Sequence, residues 1–415
     1  MAGTRHAKVV VALAVLARFL IYAQRMVVAP FFYRLMDRFD AGYLEMGALL
    51  TLFFVGYAVS QLPAGLAADR FQARNVIIWG LGLLGLGSLV FIYSTTLTWA
   101  LVGRFIMGVA SALCYTPGMK LVASNTGKEQ RGAAIGLVQS AVGLSLLCTQ
   151  MLFPILVNQV SLNHLFLSLT LLSPALMLAF WIVKPESESG AASADPSRMT
   201  AVEARSPCPQ PAVTPSRPGL RIEFIALLVV AFLGLLAANG IQGWLPSFIN
   251  KPLGFGESGA GMVMGVMLTM HTLSSYFSGR LSDQLGKRVI VINAGASIIV
   301  LSLLALMLHP QGWVIYPVVA VLGLGMGGAI APVVVLASEL YGTRKAGFVI
   351  GAMNTAGQAA SAVGGLLFGF LLDTTGAFWI IWAVAAAALV VRILATSSLP
   401  EDGSSMPVTK GTRAL

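Results

Sequence analysis

Tyr22-Ala23-Gln24-Arg25 sets a phenol, an amide and a guanidinium inside an otherwise apolar run that begins near Val9 and fades near Phe32. At a helical rise of about 1.5 Å per residue, Arg25 stands roughly 24 Å along that run. A hydrocarbon core is about 30 Å thick, so Arg25 lies a little past its middle. A cation at that depth costs at least about 2.5–3.5 kcal/mol unless it faces water, a partner or a ligand. The flanks are apolar and the nearer rim is several residues away. We therefore read Arg25 as facing an internal polar cavity, where its planar fork can grip an anion, in preference to snorkelling to the surface.

Other groups could join it. Asn239 and Gln242 lie one turn apart in a second apolar run and can share a face, with Trp244 close by. Asn354 and Gln358, spaced i, i+4, read equally well as cavity lining and as interhelical hydrogen-bonding groups. Gln61, Tyr22, Tyr57, Tyr115 and Trp244 can add hydrogen bonds or apolar walls, although ordinary packing also accounts for each aromatic. Arg104 is open between a substrate or gate contact and a structural bond to neighbouring carbonyls. Arg18 is open between snorkelling and cavity lining, and Lys120 reads as snorkelling. His271 is the one side chain within the runs suited to titrate near neutral pH, so it is the candidate proton site, against the plainer account of a satisfied core histidine.

Metal and enzyme chemistry find no footing. The three cysteines (Cys114, Cys148, Cys208) and four histidines (His6, His164, His271, His309) show no ligand spacing and no disulfide framework. No paired acids or nucleophile–base set lies in the apolar runs, and no phosphate-binding glycine motif appears. We expect no enzyme, no cofactor and no ATP drive.

The elements that must hold these residues are membrane-spanning helices. The 415 residues are 57% hydrophobic and only 10% charged, and mean hydropathy is +0.83. Soluble domains carry about 25% charged residues. Apolar runs of spanning length recur at about 9–33, 43–68, 76–95, 98–122, 132–156, 162–183, 222–249, 258–280, 288–308, 313–340, 347–372 and 376–396. The Pro-, Ser- and Ala-rich stretch 185–220 cannot bury a core and reads as a disordered linker. It separates an N-terminal six-helix bundle, 1–184, from a C-terminal one, 221–396, with a tail over 397–415. The net charge of +10 is topological. Nearly all Lys and Arg outside the runs fall on one side of the alternating path, leaving Arg34, Arg38 and Lys251 on the other. By the positive-inside rule both termini and the linker are cytoplasmic, the partner is a lipid bilayer, and nucleic acid is excluded.

The halves repeat. Gly65-Leu-Ala-Ala-Asp69-Arg70-Phe-Gln-Ala-Arg74 follows the second run, and Gly279-Arg-Leu-Ser-Asp283-Gln-Leu-Gly286-Lys287-Arg288 follows the eighth. Gly65 and Gly279, Asp69 and Asp283, and Arg74 and Arg288 are each 214 residues apart. Repeated six-helix halves imply a binding site near the midplane at their interface. Arg25 maps by the same offset onto Asn239.

At these loops the chain resembles the major facilitator superfamily. The resemblance implies an all-α fold of twelve transmembrane helices in two pseudo-symmetric bundles, working by alternating access. It also implies that Asp69, Arg70, Arg74, Asp283, Lys287 and Arg288 form a charged gating latch on the cytoplasmic side. Gln72 and Ala73 depart from the signature in the first copy. Within the superfamily, Tyr22-Ala-Gln24-Arg25, Phe53-Phe-Val-Gly-Tyr57-Ala-Val-Ser-Gln61 and Arg104-Phe-Ile-Met-Gly108 resemble the organic-anion symporters that include galactonate, glucarate and sialic-acid carriers. That resemblance implies that Arg25 contacts a carboxylate and that the substrate is a small organic anion, carried by a monomer in a bacterial inner membrane. Gln24 and Ser111 stand where the group carries acids, so a uniporter or exchanger is expected in place of a proton symporter. Efflux of a drug, siderophore or lipid-like compound, and a non-transporting solute sensor, are the alternatives.

Overall fold

The computed structural model describes residues 2–127, 130–183, 219–328 and 331–400; the side chains of Arg131, Asp283 and residues 342–347 are among those outside the description. The linker expected over 185–220 is described only at 219–220, which open a helix; 184–218 and the tail from 401 lie outside the described residues.

The described chain is helical. In the first half, α1 is Ala2–Met26, α2 Phe32–Phe39, α3 Tyr43–Arg70, α4 Ala73–Ile92, α5 Leu97–Asn125, α6 Arg131–Leu146, α7 Phe153–Leu156 and α8 Leu162–Ile182. In the second, α9 is Gly219–Asn250, α10 Gly256–Leu285, α11 Arg288–Met307, α12 Ile315–Gly328, α13 Ala331–Thr375 and α14 Trp379–Ser397. Among the described residues, eleven segments are long and apolar enough to span a bilayer. The expected twelfth is α10, 30 residues long. It misses on apolarity alone, because Thr269, His271, Thr272, Ser274, Ser275 and Ser278 dilute it. Most of their hydroxyls are absorbed within the protein: Thr269, Thr272 and Ser275 donate to carbonyls one turn back, and Ser274 to Leu324 O of α12.

Four runs are less regular than expected. The first breaks after Met26, passes through a 3₁₀ turn at Ala29–Phe31 containing Pro30, and resumes as α2. The fifth carries a π-helical turn over Leu147–Leu152 between α6 and α7. The tenth and eleventh stay joined by helical hydrogen bonding as α13, whose connecting residues 341–347 contain no proline.

The two halves pack alike. In the first, α3 lies on α5, and α4 on α5 and α8; in the second, α10 lies on α12, and α11 on α12 and α14. These contacts are glycine-tight. A Cβ on Gly56 would meet Phe105 O at 2.4 Å, and one on Gly323 would meet Met267 O at 2.2 Å, so any side chain would push the helices apart. Between the halves, α3 packs on α13 and the π-turn with α7 packs on α10. Gly47 lies so close to Gly365 that a Cβ would stand 2.1 Å from its carbonyl oxygen. There the Thr51 hydroxyl donates to Ala362 O (2.6 Å) and accepts from Leu366 N (3.1 Å), two groups that an α-helix ordinarily joins to each other. Proline supplies another seam. Pro246 in α9 has no N–H for the carbonyl of Gln242, and the Gln150 amide of the other half donates to that oxygen at 3.4 Å.

The two faces of this assembly differ. On the face bearing Lys251 and Arg34, bonds between the halves are many. Arg34 Nε meets both Glu257 oxygens at 2.7 and 2.9 Å, and Asp373 accepts from the N–H groups of Tyr43 and Leu44 at the N-terminus of α3 (2.9 and 2.7 Å). Asn158 donates to Ser258, and Trp244 is packed by Phe32 and Tyr43. On the basic face, no hydrogen bond or ion pair among the described residues joins the halves. Gly65, Gly118, Gly136, Gly279 and Gly351, near that end of five helices, all face open space.

Candidate functional site

Arg25 occupies the last turn of α1, at the break. A helix that ends inside a membrane leaves carbonyls without partners, and nothing in hydrocarbon replaces water for them. Arg104 of α5 fills that need. Its Nη1 donates to Gln24 O at 2.7 Å and its Nη2 to Arg25 O at 2.8 Å, while Nε donates to Leu49 O of α3 at 2.9 Å. The group lies against the Phe53 ring, 4.7 Å from its centroid, and has no exposed surface. Arg104, expected among the substrate ligands, has its guanidinium engaged in capping α1 and tying it to α3 and α5, and so fixes the backbone that carries Arg25.

With its carbonyl so fixed, Arg25 projects a guanidinium that is buried but lightly held. Nη2 donates to Asn239 Oδ1 at 3.3 Å, the long end of hydrogen bonding. Its carbon sits over the rings of Phe54 (4.2 Å) and Tyr22 (4.9 Å), and Nε has no partner. Asn239 is itself held by its amide, which donates to Ser361 Oγ at 2.6 Å and Leu235 O at 3.0 Å. The pseudo-symmetry mates therefore touch, and the bond between them crosses from one half to the other.

Arg18, two turns before Arg25, shares this environment. Its guanidinium lies 4.4 Å from the Tyr22 centroid and 4.0 Å from that of Tyr115, it is only 7% exposed, and its Nε is also unpartnered. Tyr57 is buried beside both arginines. Cation–π contacts give about 2 kcal/mol or more each when desolvated, well short of what removing a guanidinium from water costs. None of the described carboxylates supplies the difference. Asp69 pairs with Lys120, Glu257 with Arg34, Glu339 with Arg288, and Asp373 caps α3. The arrangement is a cationic, aromatic-walled site lacking its counter-charge.

The remaining candidates scatter. Gln24 is buried and Gln61 half-buried, each with an unpartnered Nε2. Gln242 is half-buried with its carbonyl engaged by Gln150. Gln358 is buried and donates to Asn354, which is exposed. Trp244 is fully buried in the closed face, where it acts as packing. His271 is half-buried with Nε2 unpartnered, its backbone pressed on Gly323 and Gly327 of α12, and no described contact joins it to the arginines. The expected latch residues bond inside their own halves. Lys120 Nζ meets Asp69 and Ala68 O, both at 2.8 Å, and Arg288 meets Glu339 at 3.1 Å and Ser282 at 2.9 Å. Arg70 lies over Phe71, Arg74 is half-buried with an unpartnered Nε, and Lys287 is exposed. The side chain of Asp283 lies outside the description. Ser361 and Phe54 went unread in the sequence. Arg18 was weighed without being joined to the site, although its two-turn spacing from Arg25 with Tyr22 between was legible.

Comparison with known proteins agrees with this architecture. The family described as Major Facilitator Superfamily matches residues 14–365. Probable anion transporter 6 of Oryza sativa subsp. japonica is 25% identical over 361 residues, covering 82% of each chain. Probable sulfoacetate transporter SauU of Cupriavidus necator is 22% identical over 363 residues, covering 85% of this chain and 84% of its own. The voltage-gated purine nucleotide uniporter SLC17A9 of Mus musculus is 23% identical, covering 82% and 78%. Among solved structures, a D-xylose-proton symporter superposes with a TM-score of 0.79 at 14% identity, covering 95% of this chain and 98% of that one.

Proposed function

We propose, from the premise that this chain belongs to the major facilitator superfamily of membrane transporters, that it carries a small organic anion, a carboxylate in the first instance. The observation that carries the reading is Arg25. It is a buried guanidinium at the end of a broken helix, joined across the halves by a long neutral hydrogen bond to Asn239, with no acid beside it among the described residues. A carboxylate offers charge-assisted bonds about twice as strong as a neutral one, so it displaces Asn239 readily. Relatives named for anion and sulfoacetate transport support the same reading.

The lysine and arginine distribution makes the basic face cytoplasmic, in a bacterial inner membrane, and the conformation described is then open inward. Transport follows from exchanging one closed face for the other about the midplane. In that cycle Asp69 and Arg288 leave their partners within each half and form the latch on the cytoplasmic face. The carrier works as a uniporter or exchanger. Gln24 does not titrate, and the Ser111 hydroxyl is fully buried and donates to Met107 O, so the anion itself neutralises Arg25. Proteoliposomes with the membrane potential clamped test this: a pH gradient alone drives no uphill accumulation of a fully ionised substrate.

The site is tested by uptake with Arg25→Ala and Arg25→Lys. Lysine keeps the charge and loses the fork. We expect uptake to fall by about 10- to 100-fold or more in the alanine variant, as loss of charge-assisted bonds worth about 1.5–3 kcal/mol requires, with lysine intermediate. Normal uptake by correctly inserted Arg25→Ala would sink the reading.

A further inference from the structure

We infer that the site takes a dianion, an organic chain with two acidic groups, and that Arg18 is the ligand for the second of them. The inference rests on the organic-anion reading and deepens it. Residues 18 and 25 of α1 are seven apart, almost two full turns, so they share one face of the helix. Both guanidinium groups engage the ring of Tyr22, which lies between them, at 4.4 and 4.9 Å. These two distances hold the cations within 9.3 Å of each other.

Each cation is independently unfinished. Arg18 is 7% exposed and Arg25 6%, and the Nε of each is buried without a hydrogen-bond partner. Around them stand rings, Phe54 under Arg25 and Tyr115 under Arg18, and no described carboxylate contacts either. Two like charges at this distance repel one another in a medium that screens poorly. A monoanion on Arg25 leaves the other cation buried and uncompensated; a short chain with an acid at each end answers both. A crevice lined in part by Ala14, Ala17, Met119 and Tyr115 lies beside Arg18; its free volume of about 10 Å³ is that of a single water, so the second acid group enters as these side chains move apart.

The geometry also assigns the two arginines unequal roles. Arg25 touches the other half through Asn239, whereas the described contacts of Arg18 stay within the first half. Arg25 therefore binds any anion and links it to the interface, and Arg18 discriminates the number of charges.

The test uses the full-length protein in detergent at fixed ionic strength. Binding is measured by thermal shift and calorimetry for malonate, succinate and glutarate, each against propionate, butyrate and valerate. In the wild type at least one diacid should bind about 10- to 100-fold more tightly than its monoacid counterpart, the range one additional charge-assisted bond gives. Arg18→Gln should erase that preference by lowering diacid affinity more than monoacid affinity, and Arg25→Gln should weaken both classes. Arg18→Lys, which keeps the charge, should keep part of the preference and serves where the glutamine variant does not fold. Equal binding of diacids and monoacids by the wild type, or a preference that survives Arg18→Gln, overturns the dianion inference and leaves the anion site standing. Absence of binding by both classes overturns the anion reading itself, and the inference with it.

Discussion

The two halves share an architecture and divide the chemistry. Every charged group of the site belongs to the first half. At the matching positions the second half has Phe232 for Arg18 and Asn239 for Arg25, each 214 residues on, and Val319 for Arg104, 215 on, because Gly108 and Gly323 pack against matched residues of α3 and α10. The helices follow suit. The first helix of the first half breaks at Met26, whereas its counterpart α9 continues unbroken through Asn239 to Asn250. Arg104 explains the difference: a break at mid-membrane persists only where something receives the freed carbonyls, and Val319 cannot. The lesson is that the repeat sets the scaffold, while one arginine on a neighbouring helix licenses the departure that aims the other. The first half is a charged jaw and the second a neutral one that closes on it.

The most severe way to break this comparison is Arg104→Ala. It strands two buried carbonyls, those of Gln24 and Arg25, each costing about 1–3 kcal/mol, and removes the tie to Leu49 O, so the folded protein should be lost or its melting temperature in detergent should fall steeply. Val319→Ala, in the second half, should cost only about 1–2 kcal/mol. An Arg104→Ala protein with normal melting and abolished transport would return Arg104 to the substrate ligands. A middling effect is expected from Asn239→Ala. Anion affinity should change by less than about 10-fold, since a neutral hydrogen bond contributes about 0.5–1.5 kcal/mol, while turnover slows. Loss of binding as complete as that of Arg25→Ala would mean that the jaws share the charge equally. The smallest effect belongs to Glu257→Gln. An ion pair with one partner 42% exposed contributes at most about 1 kcal/mol, so the closed population of that face should drop by no more than about fivefold. Distances between spin labels across the face measure it.

Much of this was legible in the chain. The twelve apolar runs, the repeat of the two Asp loops and the depth of Arg25 follow from periodicity and hydropathy alone. The Arg25–Asn239 pair follows from the offset, since a pseudo-twofold brings matched positions together at the interface. What escaped has a physical reason in each case. Arg104 carried no mark telling a ligand from a cap, because the carbonyls it serves become free only once α1 breaks at a point that one proline hints at. Lys120 read as snorkelling because its depth near the helix end allows that, yet its ammonium reaches Asp69 across a helix boundary that hydropathy does not see. Glu339 sits on a helix that no break separates from the next run, so its pairing with Arg288 depended on a path the sequence did not fix.

The Thr51 hydroxyl, lodged between Ala362 O and Leu366 N, gives the amide of Leu366 a second life as a reporter. Its proton is shielded by a side chain from the opposite bundle, in a stretch where two consecutive glycines leave the helix little cover of its own. Each excursion that parts α3 from α13 must either return that proton to the helix ladder or expose it to water. The rate at which Leu366 trades hydrogen for deuterium thus counts the openings of the sealed face, one backbone atom at a time, without a label attached anywhere to the protein.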